Sequence, residues 1–146
     1  MSPADPAPFT VGQALPELVR TIELPDMVAY AGATWDWHRL HYDPAFLAAA
    51  GLPAAVIDGQ VFGALLAELL QDALGPGAVV RTLSFRFKEM AFAGATIRCT
   101  ATVTKVTDDP SDSGLLVACD HVVYAGDKVT VAPASSTTFV PFGAGR

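Results

Sequence analysis

Gly59-Gln60-Val61-Phe62-Gly63-Ala64-Leu65-Leu66-Ala67-Glu68-Leu69-Leu70-Gln71-Asp72-Ala73-Leu74, closed by Gly75-Pro76-Gly77, is the stretch on which the fold turns. Val61, Phe62, Leu65, Leu66, Leu69, Leu70, Ala73 and Leu74 cover most of a helix circumference, where a surface helix would carry a narrower stripe. The spacing therefore predicts one helix over 59–74, roughly 24 Å long at ~1.5 Å per residue, buried on nearly all sides. The Gly-Pro-Gly that follows ends it sharply.

Everything downstream reads as strand. Over 81–89, Leu83, Phe85 and Phe87 alternate with Thr82, Ser84, Arg86 and Lys88; over 95–106, Ile97, Cys99, Ala101 and Val103 alternate with threonines and Arg98. After a turn at 108–114, residues 115–124 are apolar on both faces, as in a central strand. Ala125-Gly126-Asp127 makes a hairpin into 128–140, where Pro133 demands a sheet edge or a bulge. Strands of ten or more residues exceed ~30 Å, long enough to wrap the helix. The layout is α+β: a long antiparallel β-sheet around one central helix. Upstream, 17–24 alternates weakly as a first strand. Pro25-Asp26 opens a short helix ending near Gly32, and Asp43-Pro44 caps another over 45–50 that stops at Gly51.

Bulk properties bound the function. With 146 residues, 51% hydrophobic and 16% charged, the chain is long and apolar enough for one domain over 9–146 with a real core. The apolar surplus points to a subunit interface or an apolar ligand tunnel. A net charge of −6 without a Lys/Arg cluster argues against nucleic acid or an anionic membrane as partner. Residues 1–8 read as a flexible arm, with neither the basic residues nor the apolar run of a signal peptide. No stretch approaches the ~20 apolar residues that span a bilayer, so a cytoplasmic location is expected. Cys99 and Cys119 read as small buried hydrophobes, with a disulfide left open.

Chemistry concentrates in Thr34-Trp35-Asp36-Trp37-His38-Arg39-Leu40-His41-Tyr42-Asp43. On a continuous helix Asp36 and His41 would lie ~140° apart, so they converge only if the segment bends. Trp35 and Trp37 beside them would exclude water and tune both groups. A purely structural reading competes: Asp36 caps a turn, His41 is satisfied by backbone, and the tryptophans are core. His38, His41, Asp36 and Asp43 could also suggest a metal cluster, but three or four converging ligands are needed and nothing at fixed spacing elsewhere supports it, so no metal is expected. Mid-strand His121 reads as a satisfied core histidine. Arg86, Lys88 and Arg98 are candidates to meet a ligand phosphate, or simply strand-face residues.

Asp36-Trp37-His38-Arg39-Leu40-His41 resembles the Asp-x-Asn-Pro-Leu-His hydratase motif of the MaoC-like family, which includes (R)-specific enoyl-CoA hydratases and hydroxyacyl-thioester dehydratases. Tyr30-Ala31-Gly32 ahead of it, Tyr42-Asp43-Pro44-Ala45-Phe46 after it, Asp58-Gly59 at the central helix and the strand from Arg81 to Gly94 extend the likeness over about residues 10–140. The resemblance implies a hot-dog fold and a lyase that hydrates an enoyl thioester or dehydrates a 3-hydroxyacyl thioester. The carrier it implies is coenzyme A or acyl carrier protein, with neither cofactor nor metal expected. By the same resemblance, Asp36 and His41 hold one water, and the Gly59 amide stabilises the enolate oxygen. Tyr30, Trp35, Trp37, His38, Arg39, Asp58 and Gln60 are candidate substrate-binding residues. A homodimer is implied, with a heterodimer with a paralogue as the variant. His38-Arg39 stands where the family has Asn-Pro, Asp58 where a histidine is usual, and Met90-Ala91 where Pro-Val is usual; these put the substrate in doubt more than the reaction. The alternatives are a thioesterase using Asp36 or Asp58, or a non-catalytic subunit completing a partner hydratase.

Overall fold

In a computed structural model that describes residues 8–142, the chain runs β1 (Leu18–Thr21), α1 (Leu24–Thr34), a 3-10 turn (Arg39–His41), α2 (Pro44–Ala49), α3 (Gly59–Leu74), β2 (Val79–Phe87), β3 (Thr96–Asp108), β4 (Gly114–Ala125) and β5 (Lys128–Pro141). The flexible arm expected over 1–8 lies, apart from Pro8, outside the described residues. The five strands form one antiparallel sheet in the order β1-β3-β4-β5-β2. The doubly apolar β4 takes the middle place, as its pattern predicts. Pro133 does not need an edge: β5 lies between β4 and β2, and both registers slip by one residue where they pass Ala132-Pro133. The missing proline N–H is thus absorbed by a bulge.

The inward residues Ile97, Cys99, Ala101 and Val103 of β3, Val117, Cys119 and Val123 of β4, and Val131 and Ala134 of β5 form one core with the leucines of α3. Leu66, Leu69 and Leu70 are fully enclosed, each stabilising the fold by ~1.5–3 kcal/mol. Phe85 and Phe87 of β2 stand on α3 at Gly63 and Gly59. A Cβ on Gly63 would lie 2.8 Å from the Phe85 ring, and one on Gly59 would run into the Phe87 ring. Glycines four apart on one face let β2 close over the first turns of α3. This one-sided docking corrects the expected all-round burial of α3: Gln60, Ala64, Gln71 and Asp72 are exposed. Helical periodicity locates the apolar residues, but it does not say whether the remaining stripe meets protein.

The first strand is shorter than its alternation implied, because Glu23 and Asp26 form a capping box that starts α1 at Leu24. Glu23 N donates to Asp26 Oδ2 at 2.8 Å, while Pro25 sits inside the first turn. Asp43 Oδ1 accepts from Ala45 N and Phe46 N and caps α2, and Gly51, at φ 69°, takes the left-handed conformation that ends it.

Cys99 and Cys119 are buried free thiols, pushed up to about 12 and about 11 by desolvation. His121 is a satisfied core histidine: Nε2 lies 2.7 Å from Ser136 Oγ and Nδ1 3.3 Å from Thr100 O. Its pKa is lowered from 6.5, first by burial. In the unfolded chain His121 takes a proton near 6.5, and in the folded chain only at lower pH. Between those values the unfolded state holds more protons, so stability falls as pH drops below about 6.5 and levels off beneath the folded value. Denaturant unfolding from pH 8 to 5 is expected to show this loss, and His121→Gln to flatten it. The carboxylates Asp43 and Asp109, whose pKa values lie below 3.8, act in a lower window. An unchanged slope in the variant would contradict this assignment.

Candidate active site

Trp35 ends α1 in the left-handed region, at φ 61°. That conformation is uncommon for a bulky residue and breaks the helix just before Asp36. The chain then runs through Trp37 and His38 into the 3-10 turn, closed by His41 N donating to His38 O at 3.0 Å and Tyr42 N donating to Arg39 O at 3.3 Å. This is the bend that Asp36 and His41 require. The segment ahead of α3 is pinned against the turn, Val56 N donating to Leu40 O at 3.1 Å, and against residues 91–93, with Ile57 N donating to Ala91 O and Ala93 N to Ala55 O, both at 2.8 Å.

Three side chains meet there. Ligating atoms of Asp36, His41 and Asp58 all lie within 4.8 Å of one another. Each is oriented by one hydrogen bond to backbone. Asp36 Oδ1 accepts from His38 N at 3.2 Å, and Asp58 Oδ1 accepts from Gln60 N at 2.9 Å, capping α3. His41 Nδ1 lies 2.7 Å from Val56 O. A carbonyl only accepts, so the proton of neutral His41 sits on Nδ1 and Nε2 keeps its lone pair. The structural reading of Asp36 and His41 is therefore realised, and each still has a second polar atom to spare.

His41 and Gly59 line one cavity of about 300 Å³, closed by Leu40, Val56, Phe62, Phe87 and Ala91, with Lys88, Glu89 and Met90 along its rim. Among the described residues no acceptor lies against the Gly59 N–H, which points out of the first turn of α3. The close approach that needs glycine at 59 is made by Phe87 of the same chain. Phe87, 57% exposed, is a wall of the cavity that the sequence reading passed over. Its signal was present in two aromatic residues on one strand face opposite Gly59 and Gly63.

The other expected site residues divide. Asp58, only 8% exposed, joins the pair. Tyr30 lines a neighbouring cavity of about 260 Å³ with Val61, Ala64 and Leu65, and its pKa is raised first by burial and then by the Asp58 carboxylate. The tryptophans neither enter the core nor seal the site: Trp35 is 80% exposed and Trp37 42%, the latter edge-on to Tyr42. Arg39 turns away, its Nε 2.7 Å from Asp43 Oδ2 and its guanidinium over Phe46. His38 Nδ1 accepts from Leu40 N at 3.1 Å and packs edge-on to Phe46. The Gln60 residue is exposed and contributes its backbone N–H to the Asp58 cap. Of the basic candidates, Lys88 reaches the cavity, whereas Arg98 pairs with Glu17 at 2.9 Å and stacks on Tyr124. Among the described residues no helix is long and apolar enough to cross a membrane.

A five-stranded antiparallel sheet closed over one central helix, with a carboxylate and an imidazole beside that helix's first turn, defines a hot-dog-fold domain. The sequence profile of the family described as MaoC like domain matches residues 9–114, and the chain belongs to that family. It is 29% identical over 85 residues to the (R)-specific enoyl-CoA hydratase of Aeromonas caviae, covering 58% of this chain and 63% of the relative. It is 31% identical over 84 residues to a mitochondrial 3-hydroxyacyl-[acyl-carrier-protein] dehydratase of Arabidopsis thaliana, covering 58% and 49%. The matched stretch thus spans less than two thirds of either relative. Among solved structures, the (R)-hydratase from A. caviae involved in PHA biosynthesis superposes with a TM-score of 0.82 at 24% identity, over 92% of this chain and 98% of that one. A chain of the ChsH1-ChsH2 complex from Mycobacterium tuberculosis gives 0.79 at 24%, over 90% and 98%. At that identity these two establish the fold.

Proposed function

We propose that this protein is a hydro-lyase that reversibly hydrates an enoyl thioester or dehydrates a 3-hydroxyacyl thioester carried by coenzyme A or acyl carrier protein. The observation that carries the reading is the convergence of Asp36 and His41 beside a cavity that His41 and Gly59 both line. A water between the two side chains donates one hydrogen to His41 Nε2 and the other to Asp36. As His41 takes its proton, the water oxygen bonds the β-carbon, and the double-bond electrons move through the α-carbon to the thioester oxygen. The Gly59 N–H, at the positive end of α3, stabilises that enolate. His41 then returns the proton to the α-carbon, completing addition of one water; dehydration is the reverse.

The apolar cavity walls fit an acyl chain, and Lys88 at the rim supplies the local positive charge that an anionic carrier needs in a chain of net charge −6. A second copy pairing through β2 is part of this reading. β2 is an outer strand, and it and the residues that follow expose Val79, Phe87 and Met90.

The test is a panel of trans-2-enoyl-CoA substrates of increasing acyl length, offered to the purified chain while the conjugated absorbance and free thiol are both followed. Loss of absorbance without thiol release is expected, from a particle of dimer mass. Thiol release at constant absorbance would instead select a thioesterase, and neither change at any length would overturn the reading.

A further inference from the structure

We infer that Asp36, His41 and Asp58 bind one divalent transition-metal ion of the zinc or manganese class, in the place that water takes during hydration. The inference rests on the site just proposed and adds an inhibitory ligand to it.

The three residues come from three separate pieces of chain, namely the extended stretch after α1, the 3-10 turn and the cap of α3, yet their ligating atoms fall within 4.8 Å of one another. The bonds that hold them are those of a metal site's supporting shell. His41 donates through Nδ1 to Val56 O, and each carboxylate spends one oxygen on a backbone N–H. Ligating imidazoles characteristically donate their other N–H to a carbonyl or carboxylate in this way. That leaves Nε2 of His41 and Oδ2 of each aspartate without a hydrogen-bond partner among the described residues.

Charge points the same way. Two carboxylates face one imidazole, and neither is in an ion pair among the described residues, because the nearby Arg39 is held by Asp43. Asp58, 8% exposed, has its charge largely withdrawn from water. A carboxylate so placed is stabilised by a cation. One imidazole among oxygen ligands suits zinc or manganese better than magnesium or calcium, which favour oxygen alone. Three protein ligands leave room for water on the ion. The grouping of His38, His41, Asp36 and Asp43, set aside on sequence, fails here too because Asp43 caps α2. Asp58, seventeen residues beyond His41 in sequence, supplies what that grouping lacked.

A bound ion would occupy the lone pairs of Asp36 and His41 that addition of water requires, so it inhibits, and Asp58 is the residue that makes it bind. The experiment is calorimetric titration of the chelator-treated, dialysed chain with Zn²⁺, and separately with Mg²⁺. One zinc site per chain and no magnesium heat at the same concentrations are expected. Asp58→Asn keeps an oxygen for Gln60 N, and hence the helix cap; it should weaken zinc by at least about 100-fold, the upper end of the loss from removing even a supporting partner. Asp36→Asn, at an exposed position, should weaken it likewise, and circular dichroism checks that both remain folded. His38→Asn, which keeps an acceptor for Leu40 N, should bind unchanged. The inference is overturned by no zinc binding to the folded chain, by parental affinity in both aspartate variants, or by loss in His38→Asn instead. Hydration assayed in chelator reports on the lyase alone. Activity there without zinc binding removes the ion site and leaves the reaction; zinc binding without that activity does the opposite.

Discussion

Asp36→Asn and His41→Asn are each expected to lower kcat for enoyl-thioester hydration by about 10²–10⁴-fold, the range a positioned general acid or base contributes, with the fold intact. Both substitutions preserve what the residue does for the backbone. Asparagine at 36 keeps an oxygen for His38 N, the contact now made at 3.2 Å. Asparagine at 41 can place its amide nitrogen where Nδ1 now lies 2.7 Å from Val56 O. What each removes is the other atom: the charged second oxygen of Asp36, or the Nε2 lone pair of His41. The loss should therefore appear in turnover, while thermal unfolding midpoints stay near that of the parent. Because the proposed reaction has both groups holding one water, the double variant should be little worse than the slower single one. Full activity in either single variant, measured in chelator, would remove that residue from the reaction. Multiplicative losses in the double variant would mean that the two act on different steps.

The features legible in the sequence are those set by neighbours along the chain. Asp58-Gly59 at one end and Gly75-Pro76-Gly77 at the other bracket α3 as expected, and the apolar faces of β3 and β4 follow their alternation. Asp43, Pro44 and Gly51 carry the whole of α2 in their capping chemistry. Features set by distant partners were not legible. The exposed stripe of α3 depends on which faces the sheet covers, and Trp35 and Trp37 are apolar residues that the fold leaves outside. The start of α1 was hidden because β-type alternation runs on through Glu23, whose exchange of hydrogen bonds with Asp26 sets the true boundary. Within the site, spacing showed only that Asp36 and His41 need a bend. The means are a left-handed Trp35 and a 3-10 turn, and neither has a local signal. Asp58 stood out as a departure from the family pattern; that it faces Asp36 and His41 is a fact of tertiary structure.

Gly59→Pro should reduce kcat a further ~10²–10³-fold relative to Gly59→Ala, the usual cost of one lost oxyanion donor. Position 59 opens α3, where proline is tolerated because the N–H it lacks has no partner within the helix. Asp58, at φ −59° and ψ 128°, already has the extended backbone that a following proline requires. Proline there deletes one N–H and breaks no hydrogen bond among the described residues. It adds a Cβ, which meets the Phe87 ring, and the rest of its ring on the nitrogen; alanine adds the Cβ alone while keeping the N–H. Alanine therefore reports the displacement of Phe87, which lies at an exposed strand end and can yield, and the further loss in proline reports the N–H together with the ring carbons that replace it. The loss belongs in kcat more than KM, because charge gathers on the thioester oxygen only as the water adds. Equal turnover in the proline and alanine variants would show that the leading amide of α3 takes no part, and that the enolate is held elsewhere.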